Sequence, residues 1–179
     1  MAFTISNSIS FAFSGTHGHS LSHSGSNSDS HRDRNTRLQA GLALQILHDG
    51  SDLDRRPGLP EDGSDERRTV ENFSLAPRTQ SVNYGFMFEG YIYVSKAGTY
   101  TFYTNSDDGS RLWINDILVV ENGGVHSARD RSGSINLPVG YHTFRVSYFQ
   151  ASGSQGLAVS YKSPWFSRMS IPNSALFYK

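Results

Sequence analysis

Between residues 41 and 161 the apolar positions recur in short alternating runs broken by Gly, Pro, Asn and Asp, the pattern of an all-β sandwich or barrel. Strands are predicted at 41–50, where Leu42, Leu44 and Ile46 share a face, and at 69–75, 84–94, 98–104, 111–114, 117–121, 132–137, 141–149 and 157–161. In the run 141–149, His142, Phe144, Val146 and Tyr148 lie on one face and Tyr141, Thr143, Arg145 and Ser147 on the other, so only one face is expected in a core. The runs RLWI and ILVV are joined by Asn115 and Asp116, which tolerate positive φ, and a type I′ hairpin is expected there. No stretch has the period and caps of a long amphipathic helix. Residues 51–68 are dense in Gly, Pro and charge without a period and read as a long surface loop.

Upstream the texture changes. From Ser14 to Gln39, Ser, His, Gly, Asn, Asp and Arg dominate, and Leu21 and Leu38 are too few to offset chain entropy by burial. The expected organisation is therefore a disordered, low-complexity tail or linker over 1–40 and one antiparallel, jelly-roll-like β-sandwich over 41–178. Four histidines of the tail, His17, His19, His23 and His31, suit weak transition-metal binding or are simply part of a polar leader.

Composition narrows the chemistry. The 179 residues carry 16 Lys plus Arg against 16 Asp plus Glu, so no uniform field favours nucleic acid or an anionic membrane surface. With no Cys, disulfides, zinc-thiolate sites, iron-sulfur clusters and cysteine nucleophiles are excluded, and any metal must sit on oxygen or imidazole. No apolar run approaches the roughly 18 residues of a membrane span. The first residues lack the basic and continuous apolar regions of a secretory signal.

The segment 104–110, Thr-Asn-Ser-Asp-Asp-Gly-Ser, is the densest in oxygen donors. Two adjacent carboxylates, Asp107 and Asp108, repel each other, and their placement beside Asn and Ser oxygens at a strand end suits a hard cation, calcium above magnesium. Consecutive side chains on an extended trans backbone point to opposite faces, so either a turn at Gly109 or a cis Asp107–Asp108 peptide would be needed to aim both at one ion. An ordinary Asp-Asp-Gly surface turn is the alternative. A second, looser carboxylate cluster, His48 to Asp54, lacks the Gly and terminal Glu of an EF-hand loop. Trp113, on a strand, is expected in the core; Trp165 and Phe166, after Pro164, are expected in a loop open to contacts. The charged groups at Glu66–Arg68 and Arg129–Arg131 read as solvent-facing turns.

The text YTFYTNSDDGSRLWIND, then ILVVENGGVHSARDRSGSINLPVGYHTFRVSYFQ, then GLAVSYKSP and a closing IPNSALFY resembles the lectin-like domain first described in the anthrax protective antigen, the PA14 family, which also includes yeast flocculins, bacterial adhesin modules and inserts in some β-glucosidases. The resemblance runs from about Gly41 to Phe177. It implies an antiparallel sandwich in which an Asp-Asp pair joined by a cis peptide holds calcium, the ion in turn coordinating vicinal sugar hydroxyls. The matching pair is Asp107 and Asp108. The loop that completes such a shell corresponds to 150–156, with Gln155 and the Gly156 carbonyl as further calcium ligands and Ser154 behind them. Asn122 and His126, in the turn Glu-Asn-Gly-Gly-Val-His, match a turn beside the metal, although Gly123 stands where an acid is common. Asn122, His126 and Ser154 are thereby expected to bind ligand, with a turn cap at Asn122 and a hydrogen bond within the loop at His126 as the alternatives. Trp165 is a further ligand-binding candidate from its loop position and not from the resemblance. The fungal lectins carry disulfides and this chain carries none, so the bacterial adhesin type is closer.

The resemblance and the residues together lead to a non-catalytic, calcium-dependent carbohydrate-binding module for cell adhesion, extracellular or on a cell surface, monomeric within a larger assembly. Its expected partners are glycans with vicinal diols, and not nucleic acid. The alternative is a spacer or protein-interaction module of a larger surface protein or glycoside hydrolase. A glycosidase needs carboxylates about 5 to 9.5 Å apart across a scissile bond, which two acids sharing one cation do not supply, and GxSxG, HExxH and P-loop motifs are absent from the sequence.

Overall fold

The computed structural model describes residues 37–47 and 66–179. The expectations for the tail histidines and for the His48–Asp54 cluster lie outside the described residues. The strands are β1 (Gln39–Ala40), β2 (Leu42–Leu47), β3 (Glu66–Val70), β4 (Tyr84–Val94), β5 (Gly98–Asp107), β6 (Ser110–Ile114), β7 (Ile117–Asn122), β8 (Arg129–Leu137), β9 (Gly140–Gln150), β10 (Gly156–Ser163), β11 (Phe166–Ser170) and β12 (Leu176–Tyr178), with a short 3-10 turn at Asn173–Ala175. No helix among the described residues is long and apolar enough to cross a membrane.

The strands pair antiparallel into two sheets. The larger runs β1-β12-β4-β9-β6-β7, with β2 joining β3 to β4; the smaller runs β11-β10-β5-β8. The backbone of the large sheet is the β4–β9 ladder, in register from Tyr84↔Gln150 to Val94↔Gly140. One edge of β4 serves two strands: β2 pairs with it from Gly85 to Glu89, and β12 at Tyr91 and Ile92. Gly90 lies at the parting, where a Cβ would run into the Phe177 carbonyl.

The alternation expected for 141–149 holds except at Ser147: His142, Phe144, Val146 and Tyr148 are buried, and Tyr141 and Thr143 are exposed. Ser147, expected on the outward face, is enclosed together with Met87, its partner on β4, so that face is also covered there. Phe102 of the small sheet meets Phe144 of the large one with ring centroids 6.1 Å apart. Burying each such side chain stabilises the fold by about 1.5–3 kcal/mol. The Asn115-Asp116 turn has positive φ at both residues, 50° and 61°, as a type I′ hairpin requires. The Asn115 amide reaches His142 Nδ1 at 3.0 Å, and His142 Nε2 lies 2.9 Å from the Pro138 carbonyl. A carbonyl only accepts, so Nε2 carries the hydrogen and Nδ1 accepts from Asn115.

Several expectations are corrected. The sandwich begins at Gln39, inside the segment read as tail, because Gln39 and Ala40 pair with Tyr178 and Phe177, a tertiary partnership with no local pattern. β3 occupies 66–70 instead of 69–75. The charged run at Arg129 opens β8, which is largely exposed and therefore lacks the apolar signal of a strand. Phe166 starts β11 and packs on Tyr161 with ring centroids 4.7 Å apart. Trp113 is not in the core: it is half-buried on the outward face, under the Arg145 guanidinium at 4.8 Å.

One inward face positions the site. Along β5, Tyr100, Phe102, Thr104 and Ser106 all point into the sandwich and are buried. The interior thus changes from aromatic to hydroxyl-bearing as the strand approaches its end at Asp107.

Candidate metal centre

Of the two ways left open for aiming the acids, the structure has the cis peptide between Asp107 and Asp108. The Asp108 side chain is almost wholly enclosed, with the residue 2% exposed. Its two oxygens are shared between two loops: Oδ1 accepts the backbone N–H of His126 at 3.0 Å, and Oδ2 that of Ala151 at 2.9 Å. Asp107 is half-buried, and its carboxylate has no hydrogen-bond or ion-pair partner among the described residues. None of the ion pairs among the described residues involves either acid. Buried charge is normally paired or ligates a metal.

The floor is built by β4, β9 and the loop after β9. The Tyr148 hydroxyl donates to the Asp107 carbonyl at 2.7 Å and lies 3.0 Å from Gln150 Oε1. The Gln150 amide donates to the Ser154 carbonyl at 2.9 Å, which fixes the loop's path. Tyr84 donates to Gln155 Oε1 at 2.6 Å. Burial, followed by the neighbouring Tyr84, pushes the Tyr148 phenol well above the ordinary phenol range, and burial raises Tyr84 as well. Both therefore remain neutral hydroxyls. Gly156 stands opposite Asp107 in the β5–β10 register, and a Cβ there would meet nothing within 4 Å, so the space beside that acid is open.

The wall comes from the β7–β8 connection. Asn122 is 0% exposed. Its Nδ2 donates to Ser106 Oγ and to the Arg129 carbonyl, both at 3.0 Å, and its Oδ1 accepts from Arg129 Nε at 2.8 Å. Arg129 also donates to the Gly123 carbonyl at 2.9 Å. The His126 ring lies against the carbonyls of Asn122 and Ser127 at 3.0 and 2.9 Å. At Gly109 a Cβ would press into the Phe149 ring and stand 2.9 Å from the Gly124 carbonyl, so the turn after the acids has no room for a side chain.

Asp107, Asp108, His126, Ser154, Gln155 and Gly156 are thus gathered at one end of the sandwich. Asn122, expected to touch ligand, lies beneath the site instead: it is enclosed, and its amide is taken up by Ser106 and Arg129. Trp165 is corrected more strongly. It sits 57% exposed in the β10–β11 turn, with the Lys96 ammonium 5.2 Å from its ring centroid and Gly98 beside it. Gly98 and Asp107 are the two ends of β5, about 30 Å apart. Tyr148, Tyr84 and Gln150 were not anticipated, although the inward alternation of 141–149 continues to Gln150 and carries both β9 residues toward the acids.

The donor set fits a hard cation. Asp107 is unspent, each Asp108 oxygen has used one lone pair, and the Gln155 amide oxygen retains one. No group of three or more His, Cys, Asp or Glu side chains forms among the described residues, so loop carbonyls would have to complete any shell. Carboxylate, amide and main-chain oxygens are the donor types a hard cation would need there.

The family model described as PA14 domain matches residues 38–175. The anti-sigma-I factor RsgI3 of Acetivibrio thermocellus is 30% identical over 95 residues, 52% of this chain and 15% of that protein. Among solved structures, an anti-sigma factor domain-containing protein from Clostridium clariflavum superposes with a TM-score of 0.66 at 20% identity, over 79% of this chain and 48% of that one. The Epithelial Adhesin 6 A domain of Candida glabrata, in complex with Galβ1-3GlcNAc, gives 0.59 at 16% identity, over 82% and 90%. The chain therefore spans 15% of its curated relative and about half of the first of these structures.

Proposed function

The chain belongs to the PA14 domain family, and from that premise we propose that it is a non-catalytic glycan-binding module that works through a cation held at Asp107 and Asp108. The observation that carries this reading is a pair of neighbouring carboxylates, one enclosed and one half-open, without a cationic partner among the described residues. Asp108 would grip the ion from within while its hydrogen bonds to His126 and Ala151 hold the flanking loops. Asp107 would meet it from the open side, with Gln155 and the Gly156 carbonyl as further donors. A bound calcium ion would supply positive charge and exchangeable coordination positions for two neighbouring sugar hydroxyls.

The role of the remaining residues follows from their contacts. Ser154, exposed on the loop, and Val125, 72% exposed on the other, flank the opening and would select among sugars by shape and hydrogen bonding. Asn122 and Tyr148 would keep the site's floor rigid. An open, shallow site gains little buried area, so adhesion would rely on many copies or on tethering to a larger surface protein. A sugar-bound adhesin of the same fold supports this reading and the extracellular or surface setting it implies.

A second reading, a spacer or protein-interaction module, is favoured by the occurrence of this fold within anti-sigma factor proteins. The two are separated by a glycan array probed with calcium and with EDTA. Signals confined to the calcium arm support the lectin; equal, featureless signals in both arms leave the spacer.

A further inference from the structure

We propose that the outward face of the large sheet carries a second glycan site, independent of the acidic pair and of any cation. It is a groove of about 330 Å³ whose walls include Glu89, Tyr91, Trp113, Asp116, Arg145 and Tyr178, within the size range of small-ligand sites, about 300–1,000 Å³. Its origin is topological. β2 leaves the edge of β4 after Glu89 and β12 takes that edge up at Tyr91, so two strands part at Gly90. The groove opens at that parting and runs across β9 to the β6–β7 turn.

The polar groups along it are arranged as an unmade pair. Glu89 and Arg145 are direct cross-strand neighbours in the β4–β9 ladder, and opposite charges so placed ordinarily meet. Here they do not. The Arg145 guanidinium lies over the Trp113 ring at 4.8 Å and turns toward Asp116, 3.7 Å away. Glu89, half-buried, has no hydrogen-bond or ion-pair partner among the described residues. An acceptor and a donor therefore face a common space flanked by aromatic rings.

That combination selects its ligand class. A hydroxyl group can donate to Glu89 and accept from Arg145, whereas an ammonium group serves only the first and a carboxylate only the second. The aromatic walls ask for an apolar ring face, and a pyranose joins such a face to a rim of hydroxyls. Glu89 and Asp116 balance Arg145 and Lys179 around the groove, so no net field favours a charged ligand. Beyond Tyr91 the surface continues as Tyr93, Tyr141 and Phe177, with Tyr141 50% exposed and 4.9 and 5.2 Å from the rings on either side of it. A neutral glycan of more than one sugar unit therefore finds further apolar surface next to the groove. Arg145 and Gln150 are five positions apart on β9, about 17 Å, so this site is separate from the acids.

The test is an NMR titration of the full chain in EDTA with cello-, malto- and manno-oligosaccharides and the matching free hexoses. The expected result is movement of the amides around Glu89, Trp113 and Arg145 with at least one glycan, tighter for the oligosaccharide than for its hexose. Glu89→Gln and Arg145→Gln, both outward-facing, should each weaken that binding about tenfold, the loss of one hydrogen bond to a charged group, with an unchanged melting midpoint. Asp108→Asn should leave it intact. If none of the glycans moves these amides at millimolar concentration, or if binding there vanishes in EDTA or in Asp108→Asn, the proposal is overturned. Because the cation-dependent reading is probed by the calcium arm and by Asp108, either can fail while the other stands.

Discussion

The Tyr148 hydroxyl donates to the carbonyl oxygen of Asp107 at 2.7 Å, so the backbone of the acidic pair is suspended from the opposite sheet. Tyr148→Phe keeps the buried ring and removes that tie. It should cost about 1–3 kcal/mol through the unsatisfied buried carbonyl and should weaken calcium binding, since the Asp107 backbone is then less fixed. Thermal melts with and without calcium, alongside calorimetric titration, check both effects.

The two acids should respond differently to the same substitution. Both Asp108 oxygens accept backbone N–H groups, so Asp108→Asn sets an amide NH₂ against one of them and should destabilise the protein in EDTA by about 1–3 kcal/mol. The Asp107 carboxylate has no such partner among the described residues, and Asp107→Asn removes like-charge repulsion, so its stability in EDTA should hold or rise. Each should abolish the rise of melting temperature with the logarithm of calcium concentration that binding to the folded state produces. Equal apo stabilities for the two variants would contradict the assignment.

Two glycines near the acids make a matched comparison. Gly109→Ala would drive a methyl into Phe149 and the Gly124 carbonyl and should cost about 1–3 kcal/mol by overpacking. Gly156→Ala meets nothing within 4 Å, so the fold should tolerate it. The methyl would nevertheless enter the open space beside Asp107, and glycan affinity should fall while the melting midpoint stays.

Alkaline pH should unfold the protein through its buried phenols. Burial raises Tyr148 well above 10.0, and raises Tyr84, Tyr100 and Tyr161 in the same direction. The unfolded chain then loses these protons near pH 10 while the folded protein keeps them, so stability is full below about pH 10 and falls above it. Denaturant midpoints measured from pH 8 upward should show that decline, and Tyr148→Phe should make it shallower.

Trp165→Ala should leave calcium-dependent glycan binding unchanged, because that side chain lies at the far end of β5 from the acids. An array comparison of the variant with the parent chain is sufficient.

How much of this was legible in the sequence depends on which interactions are local. The Asn115-Asp116 hairpin, the alternation of 141–149 and the oxygen-rich turn at 104–110 are carried by neighbouring residues, and each could be located without coordinates. β1 and β12 could not, since they exist by pairing with each other and with β4 across the chain. Asn122 was recognisable by its place in a turn, but its burial is decided by Ser106 on β5 and Arg129 on β8. Trp165 shows the same limit in reverse: an exposed aromatic in a loop has the composition of a contact residue, and only the length of β5 reveals how far it is from the acids. The inward series Tyr100, Phe102, Thr104, Ser106 was present in the text, and carrying it past Thr104 would have placed the strand end at the acids.

Asp108 holds both flanking loops by their main-chain amides, at His126 and Ala151, and not by their side chains. The grip is therefore indifferent to which residues occupy the loop tips, where Val125, Ser152 and Ser154 are exposed. Substitution at those tips would leave the anchor undisturbed, so under the proposed glycan-binding role this single carboxylate would allow one scaffold to diversify its choice of sugar.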